Sequence, residues 1–186
     1  IVLMQDNSYK KFLKSYPDAF TDLTDMGINW DDFGKLKQSY SMVDDKHYGV
    51  PFDNGAVIAC YRTDILKEAG YTIDDLTDIT WSEFAKIGKD VHDKTGKYLL
   101  TSEGTGGDTM MMMIQSCGAN FVNEKGDAYI VGNDIAEKCV DIYTELVQND
   151  VVKLVNNWDE YVSTITNGEA AGVVNGNWIT ATIAST

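Results

Sequence analysis

The tetrad Asn175-Gly176-Asn177-Trp178 sets an indole behind two short amides and a glycine turn. A sugar ring has a weakly polar C–H face and a rim of hydroxyls. A site for one needs flat aromatic rings to stack on and carboxylates or amides to bond the rim. Trp178 could supply such a ring, although a Trp at a turn can equally plug a domain boundary. Upstream, Tyr48-Gly49-Val50-Pro51-Phe52-Asp53-Asn54-Gly55 is a rigid proline turn leading Asp53 and Asn54 into a strand. The two turns read as two walls of one ligand cleft, while Asp-Asn-Gly is also an ordinary turn signal.

Two further polar groups stand where ligands bind. Asp6 and Asn7 follow an apolar run at residues 1–4, read as a buried strand. In open α/β sheets the carboxyl ends of strands face the ligand, although Asn7 or Ser8 would also cap a helix. Thr105 and Asp108 bound a glycine-rich stretch that is either a ligand loop or a long connection. The run Met110 to Met113 reads as helix core with one or two residues showing.

Other chemistry is missing from the sequence. Gly104-Thr105-Gly106-Gly107 lacks the spacing of a dinucleotide turn, and no phosphate loop, Gly-x-Ser-x-Gly elbow or His-Glu-x-x-His helix occurs. No calcium loop fits, so neither a metal, a cofactor nor a catalytic residue is expected. His47 and His92, in polar surroundings, read as solvated surface residues. The pairs Asp31-Asp32, Asp44-Asp45 and Asp74-Asp75 flank turns and should face water. Counting carboxylates leaves open an acid/base pair of the glycosidase kind.

The elements that must position these groups alternate between strand and helix, which implies an α/β architecture. Helices are expected at 8–15, 64–69, behind the capping box Thr80-Trp81-Ser82-Glu83, at 109–117, around Ile135 to Leu146, and from Trp158 to Asn167. Trp158, Tyr161, Val162 and Ile165 mark the apolar face of the last of these. Strands are expected at 56–61 and 98–101 and after Gly168, with a hairpin turn at Asn123-Glu124-Lys125-Gly126 and irregular chain over 18–40.

Composition narrows the class. The 186 residues are 44% hydrophobic and 11% aromatic, enough for a filled core. Asp and Glu number 29 against 15 Lys and Arg, a net charge of -14. Such a field repels nucleic acid and anionic membrane surfaces. No apolar run approaches the roughly 20 residues of a membrane span. Cys60, Cys117 and Cys139, in apolar contexts without CxxC spacing, are expected to be buried free thiols.

Several segments occur together in a telling order: Asp45-Lys46-His47-Tyr48-Gly49-Val50-Pro51-Phe52-Asp53, then Cys60-Tyr61-Arg62-Thr63-Asp64-Ile65-Leu66-Lys67-Glu68-Ala69-Gly70. Thr80-Trp81-Ser82-Glu83-Phe84 and Gly118-Ala119-Asn120-Phe121-Val122 come next, then Asn167-Gly168-Glu169-Ala170-Ala171 leading to the Trp178 turn. This order resembles the family 1 extracellular solute-binding proteins, the maltose-binding-protein-like receptors of ABC sugar importers. The resemblance implies a periplasmic-binding-protein-like α/β fold (type II), mostly the second lobe plus part of the first, closing on ligand. It places residues 1–55 in the first lobe and first hinge crossing, 56–174 in the second lobe, and 175–186 in the return crossing. It makes the chain the middle of a longer protein.

By the same resemblance Trp178 matches the stacking Trp, Asp53 and Asn54 the polar groups of the first crossing, and Asp6 and Asn7 a ligand-facing turn. Thr105 to Asp108 match the contact loop of the second lobe. Asn177 replaces the usual Pro, and Met4 and Asp108 stand where the maltose receptor offers rings, which argues against a maltodextrin. The implied protein is a non-catalytic, monomeric receptor for a mono- or oligosaccharide that serves ABC permease subunits. It would be extracytoplasmic, either lipid-anchored or periplasmic. The rivals are a polyamine or metal-chelate receptor of the same fold, a carbohydrate-active enzyme, and a plain structural domain.

Overall fold

From Tyr48 to Ala56 the chain carries no regular element, and within this stretch lies the division between two units, Ile1–Gly55 and Ala56–Thr186. The computed structural model describes residues 1–104, 107–123 and 127–185.

In the first unit, helix α1 (Asp6–Ser15) buries Leu13. Tyr9 on this helix donates its hydroxyl proton to the Tyr48 carbonyl at 2.6 Å and meets Phe20 edge-on at 5.6 Å. The expected strand at 1–4 does not form: Ile1, Val2 and Leu3 are exposed, and no strand pairs with them among the described residues. An apolar run becomes a strand only where a neighbour takes its backbone bonds. The region 18–40 is not wholly irregular, since it contains 3-10 turns at Pro17–Ala19 and Trp30–Asp32 and the short helix α2 (Lys35–Ser39).

Strands β1 (Met42–Val43) and β2 (Lys46–His47) then form an antiparallel hairpin. Its turn residues Asp44 and Asp45 take φ 49° and 59°, the left-handed pair that a tight hairpin requires. The hairpin brings His47 flat onto Trp30, with centroids 3.7 Å apart and planes 10° apart. His47 is therefore buried, at 7% exposure, and not a solvated surface residue. Thr24 ties the pair down, accepting from Trp30 Nε1 through its carbonyl and from the His47 amide through its hydroxyl.

The second unit is built on a mixed sheet of β3 (Val57–Tyr61), β4 (Leu100–Glu103), β5 (Val152–Val155) and β6 (Gly172–Gly176) in the order β3-β6-β4-β5. Strand β3 runs antiparallel to β6, whereas β4 is parallel to both β6 and β5. Around the sheet lie α3 (Thr63–Ala69), α4 (Trp81–Thr95), α5 (Asp108–Ser116), α6 (Asp134–Gln148), α7 (Trp158–Thr166) and α8 (Ile179–Ala184). Leu66, Val91, Leu99, Leu100, Met113 and Leu146 are fully buried between them, each contributing about 1.5–3 kcal/mol of apolar burial.

Local signals set the helix ends. Thr80 and Glu83 form a reciprocal capping box at the start of α4, and Gly70 and Gly96 stop α3 and α4 in the left-handed region. Gly88 allows α4 to lie directly on Val151, whose methyl group a β-carbon there would overlap. The run of four methionines behaves as expected, with Met113 fully buried and Met111 showing. His92 is half-buried, beside Tyr98 at 5.4 Å. Among the thiols, Cys139 is buried and Cys60 half-buried, but Cys117 is exposed, contrary to expectation, because α5 ends there. At the expected hairpin Val122 bridges Ala128; Glu124, Lys125 and Gly126 lie outside the described residues.

Candidate functional site

Helix α7 begins where Asn157 turns its side-chain carbonyl onto the Glu160 amide at 2.9 Å. That cap makes Trp158 the first helical residue, at the rim of the helix, and its ring stays 37% exposed. The helix ends at Gly168, φ 73°. There Arg62 Nη1 donates to the Ile165 and Thr166 carbonyls at 3.2 and 3.1 Å. The chain then returns as β6, pressed so closely on Tyr61 that a β-carbon at Gly172 would come within 2.6 Å of that ring.

At the end of β6, Trp178 folds back over Gly176. A β-carbon at Gly176 would overlap the indole nitrogen, so the absent side chain gives the ring its seat. Ile179, fully buried, fixes the next residue, and Trp178 is left 49% exposed. Its ring meets that of Trp158 with centroids 5.4 Å apart and planes at 43°. Trp158 in turn stacks on Tyr161 at 5.3 Å and 16°. The three rings form one supported series in which Trp178 is the most exposed.

Polar groups border the rings. Tyr161 donates its hydroxyl proton to the Val174 carbonyl at 3.2 Å, and Asn175 Nδ2 donates to the Tyr161 oxygen at 3.4 Å. Asn175 Oδ1 accepts from the Gly176 amide at 2.8 Å. Burial pushes the Tyr161 phenol up, the Asn175 bond opposes this, and the nearby charges of Glu103, Cys60 and Asp108 push it further up. The phenol therefore stays neutral at ordinary pH. Two indole rings, a phenol and an amide can stack on and hydrogen-bond a neutral polyhydroxylated ligand.

The residues expected from sequence divide between the units. Trp178 and Asp108 belong to the second, Asp108 as the exposed first residue of α5 and not part of a loop. Thr105 lies outside the described residues. Asp6, Asn7, Asp53 and Asn54 belong to the first unit. Asp6 and Asn7 open α1, with no strand before them, and Gln5 takes the cap position. Asp6 is ion-paired with Lys37, and Asn7 accepts from the Ser8 hydroxyl at 3.2 Å. Asp53 accepts the Asn54 amide at 2.7 Å, and both residues are exposed. Sequence reasoning placed Trp158 with the core residues of α7 and missed its site-facing position. The available signal was Asn157, since a cap there puts Trp158 at the helix edge.

Among the described residues no cluster of three His, Cys, Asp or Glu could hold a metal ion, and no helix is long and apolar enough to cross a membrane.

Residues 1–186 match the family described as bacterial extracellular solute-binding protein, along the whole chain. The chain belongs to that family. A lactose-binding protein of Rhizobium radiobacter is 35% identical over 185 residues, covering 100% of this chain and 44% of that relative. The chain thus spans less than half the length of that curated relative. The GacH receptor of Streptomyces glaucescens, determined unliganded and with acarbose, superposes with a TM-score of 0.81 at 17% identity, covering 97% of this chain and 46% of that one. An ABC-transporter-associated binding protein of B. animalis subsp. lactis, in complex with beta-1,6-galactobiose, gives 0.81 at 17% identity, over 97% and 45%. The fold of this family member is accordingly the α/β, maltose-binding-protein-like class of periplasmic binding proteins.

Proposed function

We propose that this chain is part of the substrate-binding component of an ABC importer and that its ligand is a mono- or oligosaccharide. The observation that carries the reading is the half-exposed Trp178 indole, braced by Trp158 and bordered by Asn175. Stacking on a C–H sugar face needs a ring that is both exposed and held in place. The identity to a lactose-binding protein supports a galactoside-type sugar. In this reading Trp178 stacks, Trp158 positions it, and Asp108 and Asn175 bond hydroxyls. Asp6, Asn7, Asp53, Asn54 and Thr105 are proposed further polar contacts.

Residues 1–55 are assigned to one lobe with the first crossing, 56–174 to the other lobe, and 175–186 to the return crossing. The protein works outside the cytoplasm, anchored by lipid or free in the periplasm, delivers its sugar to permease subunits, and performs no catalysis. Membership of an extracellular solute-binding family supports that location.

Thermal unfolding of the intact protein tests the reading against lactose, beta-1,6-galactobiose, monosaccharides, polyamines and amino acids. A ligand at a hundred times its Kd adds about 2.7 kcal/mol and raises the midpoint by several degrees. A sugar that does so upholds the proposal. A polyamine as the only stabiliser keeps the fold and overturns the ligand.

A further inference from the structure

Three asparagines in the sequence precede a glycine: Asn54-Gly55, Asn167-Gly168 and Asn175-Gly176. A glycine sets no side chain beside its own nitrogen, and that nitrogen can attack the side-chain amide carbon of the asparagine before it. The structure separates the three pairs. Asn167 ends α7 in helical backbone, φ -79° and ψ -6°, and the Gly168 amide donates to the Ile165 carbonyl at 3.2 Å. Asn175 and Gly176 lie within β6, opposite Ile58 and Val57 of β3. The Asn175 side chain is also held at both ends, Nδ2 donating to the Tyr161 oxygen at 3.4 Å and Oδ1 accepting from the Gly176 amide at 2.8 Å. Asn54 and Gly55 carry neither restraint. Both are exposed, in the stretch from Tyr48 to Ala56 without a regular element. The Asn54 backbone amide donates to Asp53 Oδ1 at 2.7 Å, but among the described residues none bonds the Asn54 side chain or accepts from the Gly55 amide.

We propose that Asn54 is a site of spontaneous modification, where the Gly55 nitrogen displaces the side-chain amide and water then opens the ring to aspartate and isoaspartate. The inference stands whether or not Asn54 touches a sugar. Its consequence falls on the stretch where the two units divide. Either product adds a carboxylate next to Asp53. The isoaspartate also routes the backbone through the side chain and lengthens it by one methylene.

Water is the only co-reactant. The Gly55 amide gives its proton to solvent base, and its nitrogen attacks Asn54 Cγ. The Cγ–Nδ2 bond breaks, the amide nitrogen takes a proton from solvent and leaves as ammonia, and a five-membered succinimide remains. Water then adds at one of the two ring carbonyls and cleaves its bond to nitrogen. Addition at Cγ gives aspartate, and addition at the backbone carbonyl carbon gives isoaspartate. The net change is asparagine plus water to acid plus ammonia, with nothing oxidised or reduced. The first step needs the deprotonated nitrogen, so the rate rises with pH. At Asn167 and Asn175 the backbone must open locally before the ring can close, and only the open population reacts. One net hydrogen bond alone makes that a handicap of roughly fivefold.

The test is peptide mapping by mass spectrometry after timed incubation of the intact folded protein in buffers from neutral to mildly alkaline pH, followed by acid quench. Trypsin cuts after Lys46 and Arg62, which isolates Asn54, and after Lys153, which leaves Asn167 and Asn175 to be told apart by fragmentation. The expected result is that Asn54 converts first, at a rate that rises with pH, into two products of equal mass, one of them labelled by an isoaspartyl methyltransferase. Asn167 and Asn175 should lag at least roughly fivefold in the folded protein and catch up in denaturant. Gly55→Ala, which puts a methyl group beside the attacking nitrogen, should slow conversion at Asn54 and leave the other two unchanged. Conversion of Asn167 or Asn175 as fast as Asn54 in the folded protein overturns the proposal. So does an Asn54 that converts only in denaturant, or one that yields aspartate alone at the same rate in Gly55→Ala.

Discussion

Gly176→Ala removes nothing from the candidate site and yet should disable it. The new β-carbon would overlap Trp178 Nε1 and stand 2.7 Å from Cδ1 and 3.0 Å from Cε2. Unbonded heavy atoms settle at about 3.5–4.0 Å, so the indole must shift by roughly an ångström or rotate away. The backbone at Gly176 is not in the left-handed region, so alanine suits it. Removing a glycine from the unfolded ensemble stabilises by about 0.4–1 kcal/mol, which offsets the packing that a ring already 49% exposed gives up. Global stability should therefore stay within about 1 kcal/mol of wild type. Sugar affinity should fall by about 1–3 kcal/mol, or roughly 5- to 150-fold, as when an aromatic anchor is lost. Urea unfolding, calorimetric titration of the intact protein, and the exciton circular-dichroism signal of the Trp158–Trp178 pair read the three quantities separately. Wild-type affinity with a lost exciton signal would refute the role of Trp178. Unfolding of the variant would refute the packing argument.

Four further outcomes follow. Trp158→Ala removes the ring between Tyr161 and Trp178; sugar binding should weaken by about 1 kcal/mol with a changed Trp178 emission spectrum, and an unmoved spectrum would remove its positioning role. Gly88→Ala drives a methyl group into Val151, which is fully buried; urea unfolding should show a loss of about 1–3 kcal/mol, and equal or greater stability would contradict the contact. Thr80→Ala opens the capping box of α4 and should lower stability by about 1 kcal/mol, measured by thermal unfolding; an unchanged midpoint would show that the cap is not needed. Burial holds the Tyr61 phenol up at about 12 from its usual 10.0. Its contribution to stability is full below pH 10.0 and is lost as pH rises toward about 12, because the unfolded phenol ionises first. Tyr61→Phe should flatten that alkaline decline, and an identical decline in both proteins would assign it elsewhere.

Most of the second unit was legible in the sequence because its signals are local. The capping box at Thr80, the stops at Gly70, Gly96 and Gly168, and the apolar stripes of α6 and α7 each act within a few residues. The exposure of Trp178 was legible for the same reason, as a ring behind a glycine turn. Features that depend on distant partners were not. His47 is buried by Trp30, seventeen positions earlier, through a hairpin whose register no spacing rule reveals. The apolar run at residues 1–4 has the composition of a strand but no strand neighbour among the described residues. Trp158 fits the apolar stripe of α7, so periodicity hid what its place at the helix rim exposes. Cys117 likewise fits an apolar context and is exposed because α5 ends beside it.

The central claim is that Trp178 stacks on a carbohydrate, and calorimetric titration of the intact wild type and Trp178→Ala with lactose and beta-1,6-galactobiose tests it most directly. Stacking predicts saturable binding of at least one of these sugars to wild type, weakened about 5- to 150-fold in the variant. A sugar that binds both proteins equally, or heat from neither sugar with wild type while a polyamine binds, would contradict it.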